Sequence, residues 1–394
     1  MKRIIPVLLI PMGISCNQHI LDIEPQDKIA ESAVWSNPDL IRAYHAELYN
    51  AIPHGFYIHM YSKYTDEAYN AAPCCCAEHF KLHTYSPDNI ASVGGATTNE
   101  NWCTNFFYYW DRGYQYIRRV NVFLEKMEEV DIVLEDKDML VAEAKFLRSY
   151  IYFELFKRFG GVPIVTESYE LSEIEEVQFE RNTIDECVAF IEQDLGEAIP
   201  NLPARYSSTD GNYGRATADA AQALLSRTYL YAASPLFNPT NDQQKWQKAA
   251  TAAEALLNKG YALYPDYQKL FELSQGDPQD EVIFSKGFTA TSASGHQAPM
   301  HNFNRRYEGY GGWWGSNGPA QNLVDDYDMI NGEPPFLADG SVNPASGYDP
   351  QNPFANRDPR FDATILHDGS EFRGDTYEMW IAEDGSQWGY DSYK

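Results

Sequence analysis

The stretch from Asp138 to Val165 constrains the fold more than any other part of the sequence. Apolar or small residues occupy nearly every face of a helix drawn through it. A helix that is apolar all round is buried on several sides. Gly160 supplies a C-terminal cap, and Pro163 prevents the helix from continuing. The sequence therefore predicts a central core helix that ends abruptly and leads into an extended segment, 162–165.

Helical spacing of apolar residues recurs on both sides of this stretch. Asn37 stands where an N-cap is expected, directly before a proline and a run of apolar residues at helical spacing. Later stretches are rich in alanine, which permits close packing of helices, as in tetratricopeptide hairpins. The sequence predicts three helical hairpins, over 102–158, 184–232 and 245–270.

The residue composition and the periodicity of the sequence change after residue 275. Residues 281–284 predict a short strand, and the rest is rich in glycine, proline, asparagine and aspartate, with few helical runs. We therefore predict a mainly all-α fold, a tetratricopeptide-like helical hairpin scaffold with an irregular, loop-rich second layer. The predicted divisions are a signal peptide, an anchor and tether, the scaffold and the second layer, over residues 1–15, 16–36, 37–275 and 276–394.

The N-terminus has the pattern of an export signal. Lys2 and Arg3 precede a short apolar stretch, and Cys16 follows a small residue at the distance expected of a bacterial lipobox. This pattern predicts that Cys16 carries a lipid; a plain secretory signal with an incidental cysteine is the alternative. No apolar run approaches the roughly 20 residues of a membrane-spanning helix.

The charge of the chain excludes two classes of partner. With 57 acidic and 30 basic residues, the formal net charge is −27. Nucleic-acid binding needs a basic face, and attachment to anionic lipid through basic patches needs clustered lysine and arginine. We therefore expect no nucleic-acid partner.

The sequence contains no motif that predicts catalysis, a metal or a cofactor. Three adjacent cysteines cannot all face one tetrahedral metal, no CxxC pair exists, and the nine histidines form no HExxH motif. A disulfide between the run Cys74, Cys75 and Cys76 and Cys103 remains open. Carboxylates are too numerous for a catalytic pair to be identified, and no GxSxG motif or phosphate-binding loop is present. We therefore predict that the protein is not an enzyme.

Several segments resemble one family. AEAKFLRSYIYFELFKRFGGVPIV resembles the signature helix of the SusD/RagB family, surface nutrient-binding lipoproteins of Bacteroidetes-type bacteria. YQYIRRVNVFLEKM is similar to a second motif of that family. Shorter similarities are LDIEP, TDEA, PLFN, NGPAQNLVDDYDMINGEPP and YDPQNPFANRDPRFDATILHDG. The resemblance thus covers nearly the whole chain, although family members usually continue into a further helical hairpin. The sequence is therefore either a fragment, which we expect, or a natively truncated protein.

The resemblance implies a function that the residues alone do not predict. It implies a lipid-anchored protein of the outer membrane that faces the cell exterior and binds a nutrient, most often an oligosaccharide or polysaccharide. It also implies delivery of that ligand to a TonB-dependent SusC-like transporter. The alternative is a tetratricopeptide-like scaffold that binds only protein and has no small ligand of its own.

Two aromatic clusters are the candidate ligand-binding residues. Glycines flank the aromatic residues of the sequence YEGYGGWW, so their side chains are poorly covered by backbone neighbours, and exposed aromatic faces stack on sugar rings. The alternative is that one of its tryptophans is a core anchor. The predicted ligand-binding residues are Tyr307, Tyr310, Trp313 and Trp314, with Asn99, Asn101 and Trp102 lining the same site.

Overall fold

The computed structural model describes most of the predicted scaffold and much of the second layer. The described residues are 31–54, 60–70, 84, 86, 109–169, 177–274, 276–288, 315, 317–372, 374–382 and 384. Within them the fold is mainly helical, which confirms the predicted class. The helices are α1 (Glu31–Trp35), α2 (Pro38–Leu48), α3 (Trp110–Glu129), α4 (Lys137–Phe159), α5 (Ile184–Ala198), α6 (Ala218–Ala233), α7 (Gln243–Glu254), α8 (Tyr267–Leu270), α9 (Gln321–Asp326) and α10 (Pro359–Thr364). The strands are β1 (Ala68–Asn70), β2 (Asn317–Pro319), β3 (Glu371–Phe372) and β4 (Asp375–Thr376), and 3-10 turns cover Tyr49–Ala51, Tyr61–Tyr64 and Ile199–Asn201.

Helix α4 is the central core helix that its composition predicts. Most of its residues are buried, and Leu147 is fully excluded from solvent. The helix ends at Phe159, where Gly160 adopts a φ of 73°, a conformation that a side chain disfavours. The chain then runs back along the helix, where Val165 N donates a hydrogen bond of 2.7 Å to the Tyr152 hydroxyl.

The charged residues of α4 that face the core are paired there. Arg148 donates two hydrogen bonds to Asp194 of α5, at 2.7 and 2.8 Å, and a third to Asn121 Oδ1 of α3 at 2.9 Å. Asn121 in turn donates to Val165 O at 3.0 Å. One arginine therefore links three helices, and its burial costs less because its donors are satisfied.

The first two predicted hairpins are present. Helices α3 and α4 pack against each other, as do α5 and α6. Helix α5 begins with a capping box, in which the Thr183 hydroxyl accepts from Glu186 N at 3.2 Å and the Glu186 carboxylate accepts from Thr183 N at 2.7 Å. The part of the first hairpin before Tyr109 lies outside the described residues.

The third predicted hairpin, 245–270, is wrong. Helix α7 packs against α6, with Ala249 and Ala252 in contact with the apolar side of that helix. After α7, Asn258 and Gly260 adopt φ angles of 65° and 84°, which turn the backbone out of a helical path. The chain beyond this turn is irregular except for the single helical turn α8, which is too short to bury an apolar face as a partner helix would.

The second layer is irregular, as predicted, but residues 281–284 do not form a strand. In the described residues this segment pairs with no neighbouring strand; instead Phe284 packs edge-on against Phe146 of α4, with ring centroids 5.3 Å apart. A small separate cluster of Val324, Phe361 and Ile365 joins α9 to α10. Side chains therefore hold this layer together where backbone pairing is sparse.

The end of the predicted tether is ordered into a helix. The sequence predicts an anchor and tether over residues 16–36, whereas helix α1 occupies the last part of this range. Trp35 packs on Tyr44 and on Phe123, with ring centroids 4.9 and 6.4 Å apart. The last residues of the predicted tether therefore pack on α2 and α3.

Replacing Leu147 with alanine tests whether α4 is the core of the fold. We expect Leu147→Ala to lower the free energy of unfolding by about 2–5 kcal/mol, through lost transfer energy and an unfilled cavity. Val133→Ala is the matched control, because Val133 is 92% exposed and its truncation should change stability by less than about 0.5 kcal/mol. Denaturant unfolding measures both, and equal effects of the two changes would contradict the central role of α4.

Candidate functional site

The predicted binding residues lie outside the described part of the chain. This applies to Asn99, Asn101 and Trp102, to the cluster from Tyr307 to Trp314 and to Cys16, as well as to the cysteines of the open disulfide question. The structure does describe the residues that flank the two aromatic segments. We define the first aromatic segment as residues 71–108 and the second as residues 289–316.

The strand pair β1–β2 joins one end of each aromatic segment. Asn70, directly before the first segment, pairs with Asn317, directly after the second, in antiparallel register. The pair is reinforced by a hydrogen bond from Ser62 Oγ to Asn317 Oδ1 at 3.1 Å and by one from Ala320 N to Glu67 O at 2.9 Å. One end of each segment is therefore held at the same place.

Residues 65–68, the TDEA sequence, form the turn that places β1. The Thr65 hydroxyl donates to Ser62 O at 2.8 Å and accepts from Glu67 N at 3.2 Å. Asn322 Nδ2 donates to Asp66 O at 2.9 Å, which ties the turn to α9. The described contacts of this short motif are therefore structural, and they position the strand pair.

The other ends of both segments meet at the C-terminal end of α2. The Tyr109 hydroxyl, directly after the first segment, donates to Ala51 O at 2.5 Å. Lys286, which lies shortly before the second segment in the sequence, donates from Nζ to Ile52 O at 2.6 Å. The ring of Phe288 meets that of His54 edge-on, with centroids 4.9 Å apart. The described residues that flank the two aromatic segments therefore meet at two anchoring points.

A buried polar group lies beneath this second anchoring point. We call it the Glu143 cluster, made of His45, Tyr49, Glu143 and Arg215. The Arg215 guanidinium donates to both carboxylate oxygens of Glu143 at 2.9 Å, and the Tyr49 hydroxyl donates to Oε2 at 2.9 Å. His45 Nε2 lies 3.4 Å from the same oxygen. The cluster links α2 and α4 to the chain that enters α6.

Burial controls the protonation of this cluster. Burial and, to a lesser extent, the positive charge of Arg215 lower the pKa of His45 to about 3, so the imidazole is neutral. Burial also raises the pKa of Glu143, although its hydrogen bonds with Arg215 oppose that rise. The pKa of Tyr49 is raised for the same reason, so its hydroxyl stays protonated and can donate.

A pocket of about 330 Å³ opens above the Glu143 cluster. Its floor includes the buried residues His45 and Leu140, and its rim includes the exposed residues Ala46 and Asn50. The complete lining is Arg42, His45, Ala46, Tyr49, Asn50, Ile52, Leu140, Tyr213, Gly214, Arg215, Phe284, Ser285, Lys286 and Gly287. The size falls at the lower end of the range for small-molecule sites.

Sequence reasoning did not identify this pocket. A signal was present, since His45 occupies the buried face of α2 with Ile41 and Leu48, and Glu143 interrupts an otherwise apolar stretch. Polar residues at core positions usually have partners. The partner Arg215 is far away in the sequence, so only the fold could identify the pair.

Neither a membrane span nor a metal cluster occurs in the residues that the structure describes. Every helix there is too short or too polar to cross a membrane. Nor do three or more histidine, cysteine, aspartate or glutamate side chains come together in a way that could hold a metal ion.

Two family models match the chain. The SusD-like model described as starch-binding and associating with the outer membrane matches residues 22–230. The SusD family model matches residues 280–393. The first match alone covers more than half of the chain.

Known proteins of similar sequence and structure are SusD-like. A SusD-like protein of Formosa agariphila is 25% identical over 204 residues, which are 50% of this chain and 36% of that protein. The crystal structure of a SusD-like protein from Bacteroides fragilis has a TM-score of 0.67 at 25% identity, over 94% of this chain and 67% of that one. A laminarin-binding SusD-like protein has a TM-score of 0.52 at 25% identity, over 86% and 67% of the two chains. The chain spans about a third of the length of the curated relatives it matches.

The depressed pKa of His45 predicts that acid destabilises the fold. Between pH 6.5 and about 3 the unfolded chain binds a proton at this residue that the folded chain does not, so stability falls as the pH falls. Relative to His45→Gln, the wild type should lose about 2 kcal/mol of unfolding free energy between pH 7 and pH 5. Denaturant unfolding at the two pH values measures this difference. Two results would contradict the prediction: an equal loss of unfolding free energy in the wild type and the His45→Gln variant, or a His45 imidazole that titrates near pH 6.5 by NMR.

Proposed function

Because the chain belongs to the SusD/RagB family, we propose that it captures a nutrient glycan at the outer surface of the outer membrane. The mechanism is binding without catalysis: the ligand is held by shape, stacking and hydrogen bonds. The protein then delivers the ligand to a TonB-dependent SusC-like transporter. The matching family model, described as starch-binding and associated with the outer membrane, supports this proposal, as does the laminarin-binding protein of similar fold.

The arrangement of the anchoring points carries the proposal. The first aromatic segment begins after Asn70 and ends before Tyr109, and the second begins after Phe288 and ends before Asn317. Asn70 pairs with Asn317, while Tyr109 and the Phe288 side of the second segment contact residues 51–54. Two segments that share both anchoring points are suited to line one site. We therefore propose that they do so, on the side of the scaffold where the second layer begins.

The residue types in the two segments fit a sugar ligand. Trp313 and Trp314 would stack on the apolar faces of sugar rings, with Tyr307 and Tyr310 beside them. From the first segment, Trp102 would add a further aromatic face, and the amides of Asn99 and Asn101 would bond hydroxyl groups. Aromatic rings supply this contact at little cost in conformational entropy, since few torsions must be fixed.

A scaffold that binds only protein is the second candidate function. Exposed apolar side chains after α6 favour it: Leu236 is 80% exposed, Leu263 is 84% exposed and Phe271 is 72% exposed. Apolar side chains in contact with water are common at sites of protein contact. Glycan binding by the isolated protein separates the two functions, because a pure protein scaffold would show none.

Removing the two tryptophans tests the glycan site. A glycan array first identifies a ligand for the protein without residues 1–16. Replacing Trp313 and Trp314 together with alanine should then weaken binding at least about tenfold, since each aromatic contact contributes roughly 0.5–1.5 kcal/mol beyond its buried area. Calorimetry measures affinity, and circular dichroism confirms the fold.

Trp380→Ala is the matched control for that experiment. Trp380 is partly exposed and lies outside both aromatic segments, so its loss should leave affinity unchanged. Wild-type affinity in a folded double variant would place the site elsewhere. An unfolded double variant would instead show that these tryptophans are core anchors.

Replacing Cys16 tests the proposed lipid anchor. Cys16→Ala should release the protein from the outer membrane of the producing cell, because the thiol that receives the lipid is absent. Membrane fractionation and labelling with a radioactive fatty acid measure the effect. Asn17→Ala should remain labelled and membrane-bound; equal labelling of the Cys16→Ala protein would overturn the assignment.

A further inference from the structure

The pocket above the Glu143 cluster is lined by positive charge, although the protein as a whole is strongly acidic. Arg42, Arg215 and Lys286 line it, and none of its lining residues is an aspartate or glutamate. The formal charge of the whole chain is −27. Three cationic side chains therefore share one pocket.

Two of these cations are neutralised by carboxylates outside the lining. Arg42 donates two hydrogen bonds to Asp136, both at 2.9 Å, and Arg215 is paired with Glu143. The Nη1 group of Arg215 is less well satisfied, since its contact with Asn212 Oδ1 measures 3.4 Å. The arginines thus shape the pocket and contribute partly free donors.

Lys286 is the cation that hydrogen-bonds to no carboxylate among the described residues, although the charge of Glu47 nearby favours its ammonium form. Its ammonium donates one hydrogen bond, to Ile52 O, and an ammonium has three donors. Among the described residues, no carboxylate lies within ion-pair distance of Lys286 Nζ. Burial and the charge of Arg112 lower the pKa of Lys286 to about 8, so the ammonium form predominates at neutral pH. A partly buried cation of this kind is stabilised by an anion.

The rest of the lining suits a compact polar molecule with one apolar face. Tyr213 and Phe284 supply aromatic surface, and Asn50 and Ser285 supply an amide and a hydroxyl. A volume of about 330 Å³ accommodates a single sugar ring with its substituents. Access is open at the rim, where Ala46 and Gly287 are exposed.

We propose that this pocket binds a small sugar acid, with its carboxylate on Lys286 and the Nη1 group of Arg215 and its ring against Phe284. The site is distinct from the two aromatic segments of the proposed glycan site. It adjoins them, because Lys286 also holds Ile52 at the second anchoring point. A charged monosaccharide would therefore bind beside the place where both segments are attached.

Calorimetry with glucuronate, glucose and inorganic sulfate tests the proposal on the protein without residues 1–16. Glucuronate should bind at millimolar concentration or below, and glucose should bind at least about tenfold more weakly because it lacks the carboxylate. Lys286→Gln should weaken glucuronate binding by a similar factor, while Lys286→Arg should retain most of it. The glutamine side chain is one bond shorter than that of lysine, so Lys286→Arg, which keeps a long donor for Ile52 O, is the control for loss of the anchoring contact.

Two positions on the exposed side of α2 supply a matched pair of variants. Ala46 lines the pocket and Ala43 does not, and both are exposed. Ala46→Trp should fill the pocket and abolish glucuronate binding, whereas Ala43→Trp should leave it unchanged. Replacing Trp313 and Trp314 with alanine should also leave it unchanged, which distinguishes this site from the proposed glycan site.

Four results would overturn the proposal. The first is glucose binding as tight as glucuronate binding, and the second is glucuronate binding that survives Ala46→Trp. The third is sulfate that competes as strongly as glucuronate, which would show a general anion site with no selectivity for a sugar acid. Absence of glucuronate binding at millimolar concentration in the folded wild type would equally refute it.

Discussion

Helix α4 is surrounded by protein along most of its length, and the rest of the structure depends on how its polar groups are satisfied. Burial leaves no water to bond Glu143 or Arg148, so each must find a partner on another element. Arg148 pairs with Asp194 and Asn121, which fixes α3 and α5 against α4. Glu143 pairs with Arg215 and Tyr49, which fixes α2 and the entry to α6. Losing one partner of such a pair typically costs about 3–5 kcal/mol, because the other charge stays buried.

The same pairing places the functional region. The Glu143 cluster holds the C-terminal end of α2, and the residues directly after α2 contact Tyr109, Lys286 and Phe288. These three residues flank the two aromatic segments. A network required for packing therefore also determines where the residues that flank the segments meet. The pocket above the cluster is a consequence of the same geometry, since its floor is the buried polar group and its rim is the end of α2.

The sequence correctly predicts the helix ends that depend on only a few neighbouring residues. Asn37 accepts from Asp39 N at 2.9 Å at the start of α2, and Gly160 ends α4 with a positive φ. Both results obey rules that involve a few neighbouring residues. The same kind of pattern predicts the third hairpin and the strand at 281–284, and both predictions are wrong. Whether a short apolar run becomes a helix or a strand depends on a partner surface, and that surface is not encoded nearby.

The mainly helical class, the buried central helix and the family are all evident from the sequence, because periodicity, caps and signature residues are properties of continuous chain. The sequence also supplied the aromatic candidates Trp313 and Trp314, whose role stays a prediction. The tertiary structure alone decided that Asn70 meets Asn317, that Lys286 reaches Ile52 and that Arg215 pairs with Glu143. The two residues of each pair are far apart in the sequence. The sequence contains many other carboxylates and carbonyls, and nothing local indicates which of them is the partner. Only the packing of helices around α4 brings one particular partner within hydrogen-bonding distance, and that packing creates the anchoring points and the cationic pocket.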